Sequence, residues 1–215
     1  MTSEGQARSR SGIIATIIIV IVALGAGMLT ARLLFKPRTD FSELSATVFQ
    51  QPRAIQPFAL LDHHGDAFTA DSLSGQWTFV FFGYTHCPDV CPTTLSVLNS
   101  VATRLADAPD ATRFVFVTVD PERDTPEVLN RYVSYFNGEF VGVTGEPAAI
   151  GELTRQLGIM YMRVEDQGDP ASYLVDHTAS ILLFNPEGHF QALFSPPLDA
   201  DTIASEFLAI AGAFR

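Results

Sequence analysis

The chain contains two cysteines, and they lie four positions apart as Cys87 and Cys91, directly after the apolar run 78–83. If a helix begins there, residues four apart share one face, and both sulfurs point the same way. The N-terminal end of a helix favours thiolates, so we expect lowered thiol pKa values at this position. A thiolate is both the metal-binding and the nucleophilic form of cysteine. The pair therefore predicts either a site for a soft metal ion or a reversible disulfide.

A metal ion held by this pair needs a third ligand, and His177 is the best candidate among the five histidines. It precedes the apolar run 180–184, a predicted core strand whose start we expect beside the helix that follows the cysteines. Two thiolates and one imidazole form a compact soft donor set that suits copper. A structural zinc site normally takes four protein ligands, and the chain has no third cysteine to supply one.

The other histidines are weaker candidates. His86 neighbours Cys87 in the chain, so we expect its side chain to point away from the sulfur. His63 and His64 fall in a predicted solvent-exposed turn. His189 falls in a predicted hairpin strand, with no acidic or cysteine companion expected nearby.

Two aspartates are candidates for supporting the ligands without binding the metal. Asp176 neighbours His177 and could accept a hydrogen bond that orients the imidazole, or it could cap a helix or form a surface ion pair. Asp120 opens the acidic stretch 120–124, which follows a second predicted buried strand and should reach the same edge of the sheet. The alternative for that stretch is an acidic turn before a helix.

The hydrophobic periodicity predicts strands that alternate with helices, followed by a late antiparallel hairpin and a final helix. This order indicates the α/β class, with a mixed sheet flanked by helices, and a thioredoxin-like fold fits it best. The predicted strands cover 58–61, 67–69, 78–83, 113–119, 140–143, 180–184 and 190–194, and the predicted helices cover 93–107, 126–136, 147–157 and 199–211.

Four segments follow from composition: an N-terminal tail over 1–11, a transmembrane anchor over 12–35, a tether over 36–56 and the thioredoxin-like domain over 57–215. A membrane span needs roughly 20 apolar residues. A cleaved signal peptide, the alternative, usually has a shorter apolar core.

The distribution of charged residues restricts the partners that the domain can bind. Residues 40–215 contain no lysine, 8 arginines and 23 acidic residues, which argues against binding to nucleic acid or to an anionic membrane surface. We expect a single-pass protein of the bacterial inner membrane, with its soluble domain in the periplasm.

Three motifs, in this order along the chain, resemble those of the SCO/SenC family of copper chaperones. They are GYTHCPDVCP at 83–92, VDPERDTP at 119–126 and VDHT at 175–178, and the similarity extends from about Pro57 to the C-terminus. This resemblance implies a thioredoxin-like fold, with copper as Cu(I) or Cu(II) bound by Cys87, Cys91 and His177. It also implies assembly of the binuclear copper centre of cytochrome c oxidase subunit II or a related copper oxidase, with copper received from an upstream donor.

The leading hypothesis is therefore a membrane-anchored copper metallochaperone that acts by ligand exchange and is not an enzyme. Its main alternative is a thiol–disulfide oxidoreductase, in which Cys87 and Cys91 form a redox-active disulfide and reduce the cysteines of the same target. A peroxidase-like activity and a purely structural disulfide are the remaining alternatives.

Overall fold

The computed structural model describes residues 15–28, 30, 40–166 and 169–214. The chain divides into two units, Met1–Asp40 and Phe41–Arg215. In the first unit, residues 15–28 are helical. Within the described part of the chain, no helix combines the length and the apolar character needed to cross a membrane. The predicted anchor over 12–35 lies partly outside the described residues.

The second unit is built on an eight-stranded mixed sheet flanked by helices, as predicted. The strands run in the order β1-β10-β9-β4-β5-β6-β2-β3, and β7 pairs with β8 in a separate hairpin. The strands are β1 (Thr47–Arg53), β2 (Ala59–Asp62), β3 (Ala67–Thr69), β4 (Trp77–Gly83), β5 (Thr112–Thr118), β6 (Val141–Thr144), β7 (Tyr161–Asp166), β8 (Asp169–His177), β9 (Ile181–Phe184) and β10 (Phe190–Phe194). The helices are α1 (Val90–Arg104), α2 (Pro126–Phe136), α3 (Pro147–Leu157) and α4 (Ala200–Phe214), with a short 3₁₀ helix at Ala70–Leu73.

Strand β4 is the centre of the sheet. It pairs in parallel with β5 and antiparallel with β9, and all seven of its residues are buried. A strand covered on both faces has a continuous run of apolar residues instead of alternating apolar and polar ones. This is why β4 could be identified from the sequence. The carboxyl end of β4 leads directly to the cysteine-containing segment.

Local signals set the ends of two helices as predicted. The Thr125 side chain accepts a hydrogen bond from Val128 N at the start of α2, and Pro126 is the first helical residue. Gly158 ends α3 with a φ of 72°, in the left-handed region that glycine adopts without strain.

The predicted start of α1 at Thr93 is wrong, because the helix begins at Val90. Pro92 therefore lies inside the first turn, where a missing N–H leaves no helical hydrogen bond unmade. The helix also ends at Arg104, three residues before the predicted end.

The prediction of a tether over 36–56 is wrong for β1, which pairs antiparallel with β10 as the edge strand of the sheet. The proline at position 52 suggested a linker, yet an edge strand tolerates proline. Just before β1, the buried carboxylate of Glu206 on α4 accepts hydrogen bonds from Ser45 N at 2.6 Å and Ala46 N at 3.0 Å. These bonds attach the start of the domain to its last helix.

Replacing Glu206 with alanine should lower the free energy of unfolding by about 1–3 kcal/mol, because the Ser45 and Ala46 N–H groups, the second of them buried, lose their acceptor. Urea unfolding of the Glu206→Ala chain measures this. Glu152→Ala, which removes an exposed glutamate from α3, is the matched control and should change stability far less. Equal losses in the two variants would show that the Glu206 contacts contribute nothing specific.

Candidate metal centre

The two cysteines lie at the junction between β4 and α1, but only one of them belongs to the helix. Cys91 is in the first turn of α1 and is fully buried. Cys87 precedes the helix, is half-buried, and donates its backbone N–H to Tyr84 O at 3.3 Å. Both are free thiols, and Cys91 N–H points at Cys87 Sγ, 3.5 Å away. The prediction that both lie on one helical face is therefore wrong, although the sulfurs still converge.

Gly83, the last residue of β4, makes room for the buried thiol. A Cβ atom at this position would lie 2.7 Å from Cys91 Sγ and 2.8 Å from Phe116 Cε2. Both separations are shorter than van der Waals contact. The absence of a side chain at Gly83 therefore allows Cys91 to approach the end of the central strand.

The hairpin of β7 and β8 brings His177 to the same place. Its Nε2 atom lies 3.2 Å from Cys91 Sγ, and its ring contacts those of Phe81 and Tyr84 with centroid separations of 5.8 and 6.0 Å. On the other side of the ring, Nδ1 lies 3.2 Å from the carbonyl oxygen of Thr178. A carbonyl can only accept, so Nδ1 carries the proton and the lone pair of Nε2 faces the sulfur.

Cys87, Cys91 and His177 therefore form a group whose three ligand atoms all lie within 4.8 Å of one another. Among the residues that the structure describes, it is the one such group of three or more cysteine, histidine or acidic side chains. Two sulfurs and one imidazole nitrogen are soft donors, and a set of three leaves room for a further ligand.

Burial governs the protonation of this group. It raises the pKa of the Cys91 thiol, mainly through desolvation, which outweighs a hydrogen bond from the Tyr84 backbone. It also lowers the pKa of His177, against smaller opposite effects of the Thr178 backbone and the Asp176 charge. The prediction of a lowered pKa is wrong for Cys91. The charge of a helix end stabilises a thiolate by about 0.3–1 kcal/mol, which is less than about one pKa unit. Full burial can raise a thiol pKa by about 3–5 units, so desolvation is the larger effect.

Asp120 supports the hairpin rather than the thiols. It accepts a hydrogen bond from Tyr173 Oη at 2.7 Å and forms an ion pair with Arg123. The Tyr173 ring lies between two guanidinium groups, those of Arg123 and Arg163, at 3.5 and 3.4 Å. Because Tyr173 lies on β8, this network fastens the strand that carries His177 to the loop after β5.

Asp124 fastens the segment that carries Cys87, a role that the sequence did not single out. Its fully buried carboxylate accepts hydrogen bonds from Thr85 N at 3.0 Å, from Thr85 Oγ1 at 2.6 Å and from Thr118 Oγ1 at 2.6 Å. His86, beside Cys87, is exposed and lies 3.9 Å from the same carboxylate through Nδ1. The sequence feature that could have pointed to this role is the position of Asp124 as the second aspartate of the VDPERDTP motif at 119–126.

Asp176 is exposed and lies opposite Met162 in the hairpin. The Thr178 carbonyl oxygen, rather than the Asp176 carboxylate, contacts Nδ1 of His177. Asp176 acts on the imidazole through its charge, which raises the His177 pKa.

The surroundings of two further histidines, His63 and His189, differ from those predicted. His63 is buried, not in solvent, because the pairing of β2 with β6 brings the turn against the sheet. Its Nδ1 accepts a hydrogen bond from Gly142 N at 2.8 Å. His189 has an acidic neighbour after all, since its Nδ1 lies 3.3 Å from Glu187 Oε2.

Comparison with known proteins places this chain in a family. The SCO1/SenC family model matches residues 47–212, which includes both cysteines and the histidine. The chain belongs to the SCO1/SenC family. An SCO2-like protein of Rickettsia prowazekii is 32% identical over 201 residues, which cover 93% of this chain and 98% of the relative.

Solved structures of SCO1/SenC relatives have the same thioredoxin-like fold. Arabidopsis thaliana ScoI, crystallised with copper bound, is 32% identical with a TM-score of 0.70, covering 74% of this chain and 98% of that one. Bradyrhizobium japonicum ScoI, also with copper bound, is 38% identical with a TM-score of 0.62, covering 72% and 96% of the two chains.

Replacing Gly83 with alanine should displace Cys91 Sγ, lower the free energy of unfolding by about 1–3 kcal/mol and weaken metal binding. Thermal unfolding and Cu(I) competition titrations measure the two effects. The control is Gly138→Ala, where a new Cβ meets nothing within 4 Å. A Gly83→Ala chain as stable and as tight in metal binding as this control would contradict the packing described for Cys91.

Proposed function

We propose that this chain is a copper chaperone held in the bacterial inner membrane by residues 12–35, with its soluble domain in the periplasm. Cys87, Cys91 and His177 bind one copper ion and deliver it to the binuclear copper centre of cytochrome c oxidase subunit II. The observation that carries the proposal is the convergence of two sulfurs and one imidazole nitrogen within 4.8 Å. The copper-bound relatives at 32% and 38% identity support the choice of metal.

The chemistry is ligand exchange, with copper as cargo rather than as a catalyst. Copper arrives from an upstream donor, and soft thiolates with one imidazole favour Cu(I) while still accommodating Cu(II). The half-buried Cys87 is the more accessible sulfur, so an acceptor cysteine replaces it first. The excess of acidic residues over residues 40–215 attracts a basic docking face on the partner. No covalent bond of a substrate is broken, so the protein is a metallochaperone and not an enzyme.

A second function, thiol–disulfide exchange, is favoured by the closeness of the two free thiols. Oxidation of Cys87 and Cys91 to a disulfide would release two electrons and two protons, which reduce a disulfide of the target to two thiols. Such a reaction would prepare the cysteines of the target to receive copper. Both functions use the same two sulfur atoms, so the positions of these atoms do not distinguish them and an experiment is needed.

Titration of the reduced chain with Cu(I) should show one tightly bound equivalent, lost in Cys87→Ser and in Cys91→Ser. His177→Ala should weaken binding by at least tenfold, because it removes one of three ligands, whereas its control His189→Ala should not. Competition with a Cu(I) chelator measures these affinities. Equal effects of the two histidine variants would mean that His177 is not a ligand.

Copper affinity should rise with pH between about 6 and 8. Burial raises the pKa of Cys91, so its thiol keeps its proton in this range and must release it when the metal binds. Each displaced proton makes the affinity about tenfold higher per pH unit. Competition titrations at several pH values, corrected for the titration of the chelator, test this, and a flat profile would contradict it.

Mixing the copper-loaded chain with metal-free oxidase subunit II should move copper to the subunit, as followed by the visible absorption of its copper centre. The metal-free, reduced chain mixed with disulfide-containing subunit II tests the second function. Reduction of the subunit II disulfide without any copper transfer would favour the oxidoreductase over the chaperone.

A further inference from the structure

Two exposed methionines, Met160 and Met162, flank Tyr161 at the start of the β7–β8 hairpin, and Tyr161 is the residue paired with His177. Met160 and Met162 are 79% and 64% exposed, although both side chains are apolar. They are two of the four methionines in the chain. Residues two apart on an extended segment point to the same side, so the two thioethers share one face.

The pairing of the hairpin extends this face. Met162 lies opposite Asp176, and Met160 is joined to Thr178 by hydrogen bonds in both directions, from Thr178 N to Met160 O and from Met160 N to Thr178 Oγ1. Directly opposite residues of an antiparallel pair place their side chains on one face. Asp176 and Met162 therefore share one face of the hairpin.

Both methionines line an open cavity of about 660 Å³ that also reaches Asp176 and His177. The same cavity is bordered by Arg155 at the end of α3. Cys87 and Cys91 do not line this cavity, so His177 is the residue it shares with the cysteine–histidine group.

The chemistry of these side chains selects a particular class of ion. Thioether sulfur is a soft, uncharged donor that binds Cu(I) and similar soft monovalent ions. Methionine is unbranched and has three rotatable side-chain bonds, so two of them on one strand face can converge on one ion. The Asp176 carboxylate adds a negative charge that compensates the positive charge of the ion.

We propose that Met160 and Met162 form a second binding site for a soft monovalent cation such as Cu(I), on the hairpin face that they share with Asp176 and in the cavity that His177 also lines. The site binds more weakly than the cysteine–histidine group, because its two sulfur donors are uncharged. It goes beyond the proposed function, since thioether binding does not require Cys87 or Cys91.

The test uses the full chain in detergent micelles, labelled with ¹³C at the methionine ε-methyl groups and titrated with Ag(I), a redox-inert stand-in for Cu(I). The first equivalent should fill the cysteine–histidine group. The second should shift the methyl resonances of Met160 and Met162, with the Met28 resonance unmoved as an internal control. Binding through sulfur shifts a methyl group that is directly attached to it, which a merely structural role would not do.

Variants separate the two sites. Met160→Leu combined with Met162→Leu keeps the apolar surface but should lose the second equivalent, while Met28→Leu should keep both. Cys87→Ser combined with Cys91→Ser should lose the thiol-bound equivalent and keep the methyl shifts.

Two results would overturn the methionine site: methyl resonances of Met160 and Met162 that do not move up to several equivalents, or a second equivalent that survives the double leucine change. In either case the two side chains are only an apolar surface. Failure of the proposed function has a different signature, namely an unchanged first equivalent in the double serine chain.

Discussion

The contact between Nε2 of His177 and Sγ of Cys91, at 3.2 Å, is the constraint on which the site depends. The two residues are 86 positions apart, and neither belongs to the same element as the other. They meet because β9 returns antiparallel to β4, so the chain entering β9 lies beside the end of β4. The Tyr173 network and the buried Asp124 carboxylate then fasten the two segments that carry the ligands.

The burial of Cys91 and His177 keeps this pair neutral. Desolvation raises the pKa of Cys91 and lowers that of His177, so the metal-free pair shares a hydrogen bond from thiol to imidazole. A soft cation bound here would take the place of that proton, and its charge would compensate the thiolate that burial alone disfavours. The group is thus organised before the ion binds, which reduces the rearrangement needed for loading and for release.

Several features set by local chemistry were predictable from the sequence, whereas several features set by distant pairing were not. The Thr125 cap and the Gly158 helix end depend on a few neighbouring residues. The continuous apolar sequence of β4 indicates a strand that is buried on both faces. The burial of His63 depends on the pairing of β2 with β6, and the pKa of Cys91 depends on everything packed around it. The grouping of Cys87, Cys91 and His177 was predictable because cysteine and histidine are scarce and their chemistry restricts the choices. The β7–β8 hairpin was missed because its exposed face is as apolar as its buried one.

The central claim is that two sulfurs and one imidazole share a single ion, and X-ray absorption at the copper K-edge tests it most directly. For the chain loaded with one equivalent of Cu(I), we predict a shell of two sulfur atoms and one nitrogen atom around copper. The nitrogen contribution, with its imidazole multiple scattering, should disappear in the His177→Ala chain. A spectrum with sulfur neighbours alone in the unmodified chain, or with no sulfur at all, would contradict the account.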